Sequence, residues 1–306
     1  MTHQGLQPNL RYLDPETLQT IGSLELIARE VVEGLRVGTH RSPLRGFSTD
    51  FAHHRQYVPG DPLRHLDWRV YGRTERYYTK LYEAETCYEA HLLLDASASM
   101  TYGSGPVSKL EYAKYLAASL AYLILKQRDS VGLGVFDSTL RSYDPPRSAM
   151  GVLGLLDDRL AEATGEPRTD IAAQLHEMAH RLDRRGVVVL FSDLLEDEEG
   201  FQRGLDHLRF RGHNVIVFHL MDPYELTFPF NGPWRFEGLE GEEEFTTQPE
   251  RIRDTYMQDL QTFLDAVRTG CERSAVDYDL VDTARPVNVV LSEFLNRRSG
   301  LNQRMR

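Results

Sequence analysis

Apolar residues along this chain fall into runs of two kinds, and the two kinds alternate. EAHLLLD, SVGLGVFD, GVVVLFSD and NVIVFHLMD are short, almost continuously apolar, and bounded by charges or turn residues. The longer runs repeat at threes and fours, as with Ile171, Leu175, Met178 and Leu182 in TDIAAQLHEMAHRL. KLEYAKYLAASLAYLILKQ carries apolar residues on most faces. Short runs with no polar face predict strands buried on both sides, and the 3.6-residue period predicts helices that cover them. Helices are also predicted over FQRGLDHLRF, RIRDTYMQDLQTFLDAVRTGC and VNVVLSEFLNR, with a short strand at DYDLVD. The expected fold is therefore α/β, a doubly wound, mainly parallel sheet over residues 87–306. LTFPFNGPWRFEGLEGEEEFTT breaks the alternation and predicts an inserted hairpin near 225–248. The glycines of GLGVF, inside a strand, are expected to let a helix pack closely.

Upstream the pattern changes. Leu18, Ile21, Leu24, Ile27 and Val31 predict a helix from Asp14 to Val37, stopped at Gly38. Thr39 to Tyr82 consists of short aromatic pieces around the turn VPGDP, and reads as strands joined by loops. Residues 1–86 are thus expected to form an N-terminal helix and a small β-rich subdomain. Arg55, Arg64, Arg69 and Arg73 interleave there with Tyr57, Trp68, Tyr71, Tyr77 and Tyr78. Aromatics at this density usually pack. The arginines are expected to pair with acids such as Asp61 and Asp67, and Trp68 to anchor a core. The competing expectation is a docking surface for an acidic partner or for nucleic acid.

Charge narrows the classes of function. The 306 residues carry a net charge of −11, unevenly spread. Arg41 to Lys80 has eight Arg/Lys against four Asp/Glu, whereas Leu190 to Glu250 has four Arg against fourteen acids. A general nucleic-acid binder is not expected from this balance. No apolar run reaches membrane-spanning length, and MTHQGLQPNL lacks the basic and apolar regions of a signal peptide. Cys87 and Cys271 stand in no metal-ligand spacing and read as reduced thiols, so the expected location is cytoplasmic.

The chemistry concentrates where the first buried strand ends, at AHLLLDASASM. In open α/β sheets, ligands bind beyond the carboxyl ends of strands, where the strand order reverses. Asp95, Ser97 and Ser99 alternate, so an extended start to the loop points all three one way. Thr169 precedes a helix, and Asp193 closes another apolar strand. One carboxylate and three hydroxyls, with a second carboxylate beside them, form a hard-oxygen site suited to Mg²⁺ (or Mn²⁺). Ser97, Ser99 and Thr169 would ligate, with Asp95 and Asp193 holding waters or orienting ligands. The plainer alternative makes Thr169 and Ser99 helix caps.

Other chemistries fit less well. GSGPVSK fails the spacing of a phosphate-binding loop and lacks a preceding strand. A phosphoaspartate hydrolase needs a second acid two residues after Asp95, where Ser97 stands. His53, His54 and His65 lack supporting ligands for zinc.

The constellation Asp95, Ser97, Ser99, Thr169 and Asp193 resembles the metal-ion-dependent adhesion site of von Willebrand factor A domains. The prelude HRSPLRGFSTDFAHHRQYVPGDPLRHLDWRVYGRTERYYTKLYEAE running into LLLDASASM resembles the bacterial domain-of-unknown-function family number fifty-eight. One departure stands out: Leu194 and Leu195 follow Asp193, where von Willebrand domains often have Gly. The resemblance implies a non-enzymatic, metal-dependent protein-binding adaptor paired with a MoxR-type AAA+ ATPase. The partner or its client would present an Asp or Glu to the metal. The alternatives are a Mg²⁺-dependent phosphoester hydrolase and a scaffold that binds metal for stability alone.

Overall fold

The computed structural model describes residues 10–13, 51–58, 66–82, 88–165, 170–195, 198–239 and 245–304. The predicted helix from Asp14 to Val37 lies outside them, as do Asp61, Arg64, His65 and Cys87. The chain divides into two compact units, Thr39–Cys87 and the remainder. Among the described residues before Phe51, Leu10 to Leu13 belong with the α/β unit. Tyr12 and Leu13 are buried in its core, and the Arg11 and Tyr12 N–H groups donate to the Asp157 carboxylate at 2.8 and 3.0 Å.

In the smaller unit β1 (Phe51–Gln56) pairs antiparallel with β2 (Tyr78–Tyr82), and α1 (Trp68–Thr74) lies between them in sequence. Asp67 caps α1, accepting from the Arg69 and Val70 N–H groups, and its other oxygen meets His54 Nε2 at 2.9 Å. Trp68 is not the core anchor expected of it, being 63% exposed. It occupies the first position of a two-turn helix, edge-on to Tyr71, while Tyr71 stacks on Tyr77 at 4.6 Å. The aromatic residues of this segment pack chiefly on one another.

The larger unit follows the alternation of the sequence. Its first strands and helix are β3 (Glu89–Asp95), α2 (Lys109–Lys126), β4 (Ser130–Phe136) and β5 (Leu140–Arg147). Next come α3 (Val152–Glu162), α4 (Ile171–Arg181), β6 (Val187–Ser192), α5 (Glu198–Phe210) and β7 (Asn214–Met221). A short helix α6 (Pro223–Thr227) leads to the expected hairpin, β8 (Trp234–Phe236) with β9 (Phe245–Thr247). The chain closes with α7 (Pro249–Arg273), β10 (Asp277–Asp282) and α8 (Val287–Arg304). No helix among the described residues is long and apolar enough to cross a membrane.

Six strands form one sheet in the order β10-β7-β6-β3-β4-β5, parallel except for β5. The chain winds from β3 towards β5, then returns and winds from β6 towards β10. Order therefore reverses between β3 and β6, and the crevice lies at their carboxyl ends. The two-residue period of each strand sends alternate side chains to opposite faces. Leu92, Leu94, Val189, Phe191, Ile216 and Phe218 enter one core with α2, α3 and α8. Leu93, Val188, Leu190, Val215 and Val217 enter the other with α4, α5 and α7.

Strand β5 and helix α3 were not read from the sequence. β5 carries Pro145 and Pro146, and strands with proline are confined to sheet edges, which is where β5 lies. Gly132 of β4 serves this pairing rather than a helix, whereas a Cβ on Gly134 would first meet the Leu93 side chain of β3 at 3.0 Å. A Cβ on Gly132 would meet the Asp144 carbonyl oxygen at 2.6 Å and Pro146 N at 2.8 Å, both backbone atoms.

Gly132→Ala is therefore expected to lower stability by about 1–3 kcal/mol, the usual range for forcing atoms into a packed site. Gly154→Ala in α3, where a Cβ meets nothing within 4 Å, should gain up to ~1 kcal/mol from helix propensity. Urea unfolding of the two variants measures the contrast, and equal stabilities would discount the β4–β5 contact.

Candidate metal centre

Asp95 is the last residue of β3 and is fully buried. Its Oδ1 accepts the Ser97 N–H at 2.9 Å, which turns the loop, and its Oδ2 accepts the Ser192 hydroxyl at 2.6 Å across the switch point. Ser97 and Ser99 then point together, with their Oγ atoms 3.0 Å apart and both side chains buried. Ser99 is not a helix cap. It opens a single short turn, and α2 is capped by Ser108, whose Oγ accepts the Glu111 N–H. Asp170 fills the cap of α4, accepting the Ala173 N–H at 2.8 Å. Thr169 lies outside the described residues.

Asp193 follows β6 directly and is also fully buried. Its Oδ2 accepts a hydrogen bond from Lys109 Nζ at 2.8 Å, and the same ammonium donates to Glu225 Oε1 at 2.7 Å. The Lys109 side chain is completely enclosed. Burial works against its charge, yet the fields of Asp193 and Glu225 outweigh burial and hold the ammonium above the ordinary lysine range. Glu225 is itself placed by local chemistry. Asp222 caps α6 by accepting the Tyr224 N–H, and Glu225 Oε2 closes the capping box by accepting the Asp222 N–H at 2.8 Å. Ser104 ties the α2 approach to the same cap through its N–H and hydroxyl on Asp222.

The sequence suggested Asp95, Ser97, Ser99 and Asp193, and the fold carries all four to the one switch point. It gave no role to Lys109, Glu225, Asp222 or Ser192. One signal was available: a lysine at the first position of a helix opposes the helix dipole, which favours cations at the other end. Lys109 accepts that position because two carboxylates surround it.

The loop after Asp193 bears on the departure from Asp-Gly. Leu194 adopts φ +56°, the left-handed region that glycine enters freely and leucine at a cost of ~1–2 kcal/mol. Its buried side chain and an N–H donated to Ser192 Oγ at 3.0 Å hold it there. The loop keeps a glycine-like turn without a glycine.

The donor set fits a small hard cation. Two hydroxyl oxygens 3.0 Å apart span one edge of an octahedron whose ligands lie ~2.1 Å from its centre. Asp193 and Glu225 share the one Lys109 ammonium, while Asp95, within the field of Asp193, is met only by the Ser97 N–H and the Ser192 hydroxyl. Burial, then the charge of Asp193, pushes Asp95 up to about 7. Buried carboxylates in excess of cations are a standing electrostatic cost that a divalent ion would relieve. Beside Ser99 opens a groove of about 510 Å³, bordered by Tyr102 and Glu225 and lined by Tyr224, Phe228, Trp234 and Tyr256.

Residues 53–266 match the family described as "Protein of unknown function DUF58". The chain is 26% identical over 266 residues to Uncharacterized protein Rv1480 of Mycobacterium tuberculosis and to Uncharacterized protein Mb1516 of Mycobacterium bovis. Those matches cover 84% of this chain and 83% of each relative. Among solved structures, the conserved hypothetical protein BatB from Bacteroides thetaiotaomicron aligns with 70% of this chain and 99% of its own, at 17% identity and TM-score 0.46. The SpRpn10 VWA domain aligns with 69% of this chain and 95% of its own, at 14% identity and TM-score 0.39. The fold assignment rests on the strand order and its single antiparallel edge.

Two measurements test the electrostatics. Lys109→Met leaves Asp193 and Glu225 buried without their cation, and should cost about 3–5 kcal/mol in urea unfolding. A loss under 1 kcal/mol would show that the ammonium is dispensable. Asp95 titrates higher in the folded chain than its ordinary value of 3.8, so folding takes up a proton. Its contribution to stability is complete below that ordinary value and is lost as pH rises through about 7. In metal-free buffer the parent should therefore lose stability relative to Asp95→Asn between those limits, and a constant difference would refute the assignment.

Proposed function

We propose that this chain, which belongs to the DUF58 family, is a non-enzymatic adaptor that binds a protein partner through a divalent ion at the β3–β6 switch point. The observation carrying the proposal is the pair of buried hydroxyls, Ser97 and Ser99, set 3.0 Å apart beside two buried carboxylates. Ser97 and Ser99, with Thr169 from the sequence, would hold Mg²⁺ or Mn²⁺ directly, and Asp95 and Asp193 through water. When bound, such an ion supplies a Lewis-acidic position able to accept a carboxylate oxygen from outside.

The chain's own residues tune the site for that role. Lys109 takes up the charge of Asp193, so the groups nearest the ion are largely neutral hydroxyls. Ser192 and the Ser97 N–H orient Asp95 through both of its oxygens. The aromatic groove beside Ser99 suits an apolar side chain flanking a partner's Asp or Glu. Hydrolysis of phosphoesters is disfavoured, because the position of the second acid is Ser97, hydrogen-bonded to Ser99.

The proposed partner is a MoxR-type AAA+ ATPase, or a client presenting an acidic side chain. Family membership supports this choice, as does the absence of a phosphate-binding loop from the sequence, which leaves energy for remodelling to a partner. The proposed setting is the cytoplasm, in keeping with the buried, unpaired Cys271.

The test is association of the purified chain with a MoxR-type ATPase encoded in the same genome, by biolayer interferometry in Mg²⁺ and in EDTA. Ser97→Ala and Ser99→Ala should each weaken Mg²⁺-dependent association at least tenfold and abolish the Mg²⁺-induced rise in Tm, with the fold intact. Equal association in EDTA would remove the metal from the mechanism. A rise in Tm without metal-dependent association with any acidic partner would leave a scaffold.

A further inference from the structure

A second group of metal-competent side chains lies on the flank formed by α4 and α5. His176 and His180 are one turn apart on α4 and so share a face, and His207 comes from α5. Each offers a ring nitrogen within 4.8 Å of those of the other two. His176 Nδ1 and His207 Nδ1 are 3.0 Å apart. The ring centroids lie 4.2, 4.8 and 5.4 Å from one another.

The backbone makes this meeting rigid. Gly204 lets α5 approach α4 so closely that a Cβ there would stand 2.8 Å from the Leu175 Cβ. Leu175 adjoins His176, and His207 follows Gly204 by three residues, so the imidazoles sit on either side of the tightest seam between the helices. The inner faces are locked by Ile171, Leu175, Met178, Leu205 and Leu208, all fully buried. Burial and the neighbouring His176, His180 and Arg211 depress the pKa of His207 and favour its neutral, ligating form. Acids close in sequence are otherwise engaged, Glu177 with Arg181 and Asp206 with Gln202 and Ser274.

We infer that His176, His180 and His207 form a surface site for a borderline transition-metal ion, Zn²⁺ by preference, clipping α4 to α5 with one position left open. Imidazole nitrogen suits Zn²⁺ and not Mg²⁺, so this site and the hydroxyl site select different ions. Three histidines with a fourth position open to solvent is an established zinc arrangement, and here the open position faces outward, as two of the rings are exposed. His180 and His207 lie in the second halves of α4 and α5 and His176 at the midpoint of α4, away from the Asp170 cap and the Asp193 loop that lead into these helices.

The test uses the full chain without a histidine tag, titrated with Zn²⁺ by calorimetry and with Co²⁺ by visible absorption. The expected result is one equivalent of each, tetrahedral d–d bands for Co²⁺, displacement of Co²⁺ by Zn²⁺, and a rise in Tm. His180→Gln and His207→Gln should each weaken binding at least tenfold. Both are surface changes, and far-UV circular dichroism checks that the helices persist. Ser97→Ala should bind Zn²⁺ like the parent, which separates this site from the adhesion reading. No saturable equivalent in the parent, or unchanged affinity in the His180→Gln/His207→Gln double variant, would overturn the inference.

Discussion

One enclosed ammonium organises the carboxyl end of the sheet. Lys109 begins α2, Asp193 follows β6 and Glu225 lies in α6, three segments joined by a single charge with two partners. Removing a long side chain's charge from water is costly, and the cost is repaid only if both partners hold their geometry. Each is therefore fixed again by something else: Glu225 by the capping box of α6, Asp193 by the turn at Leu194. The site is rigid for electrostatic reasons as much as for packing.

This arrangement divides labour among like-charged groups. Asp95 and Asp193 stand at the two strand ends of the switch point, but only Asp193 has the lysine, and Asp95 relies on neutral donors. Burial and the charge of Asp193 raise the proton affinity of Asp95. A cation entering between them would meet one carboxylate already compensated and another not.

Much of this was legible in the sequence, and the limits have physical causes. The buried strands announced themselves because parallel strands covered on both faces are continuously apolar. Asp95, Ser97, Ser99 and Asp193 were legible because strand ends at a switch point are where side chains converge. Lys109 was not, because its partners are 84 and 116 residues away and no local pattern encodes them. β5 was obscured by Pro145 and Pro146, which argue against a strand anywhere except an edge. Trp68 departs from the expected burial because its seven-residue helix is too short to bury a face. The histidine trio has no local sequence signature, because His207 joins the α4 pair only across the helix seam, 31 residues from His176.

The two margins of the sheet bear on how anything else can attach to it. β5 presents two residues that have no amide hydrogen, and β10 presents Asp277, Asp279 and Asp282, two of them held by Arg298 and Arg297. Unpaired strand edges are the usual templates for strand addition by another polypeptide, and prolines and charges are what discourage it. Main-chain zippering is thereby discouraged at both margins, so recognition falls to side chains and bound ions at the crevice and along the helical flank.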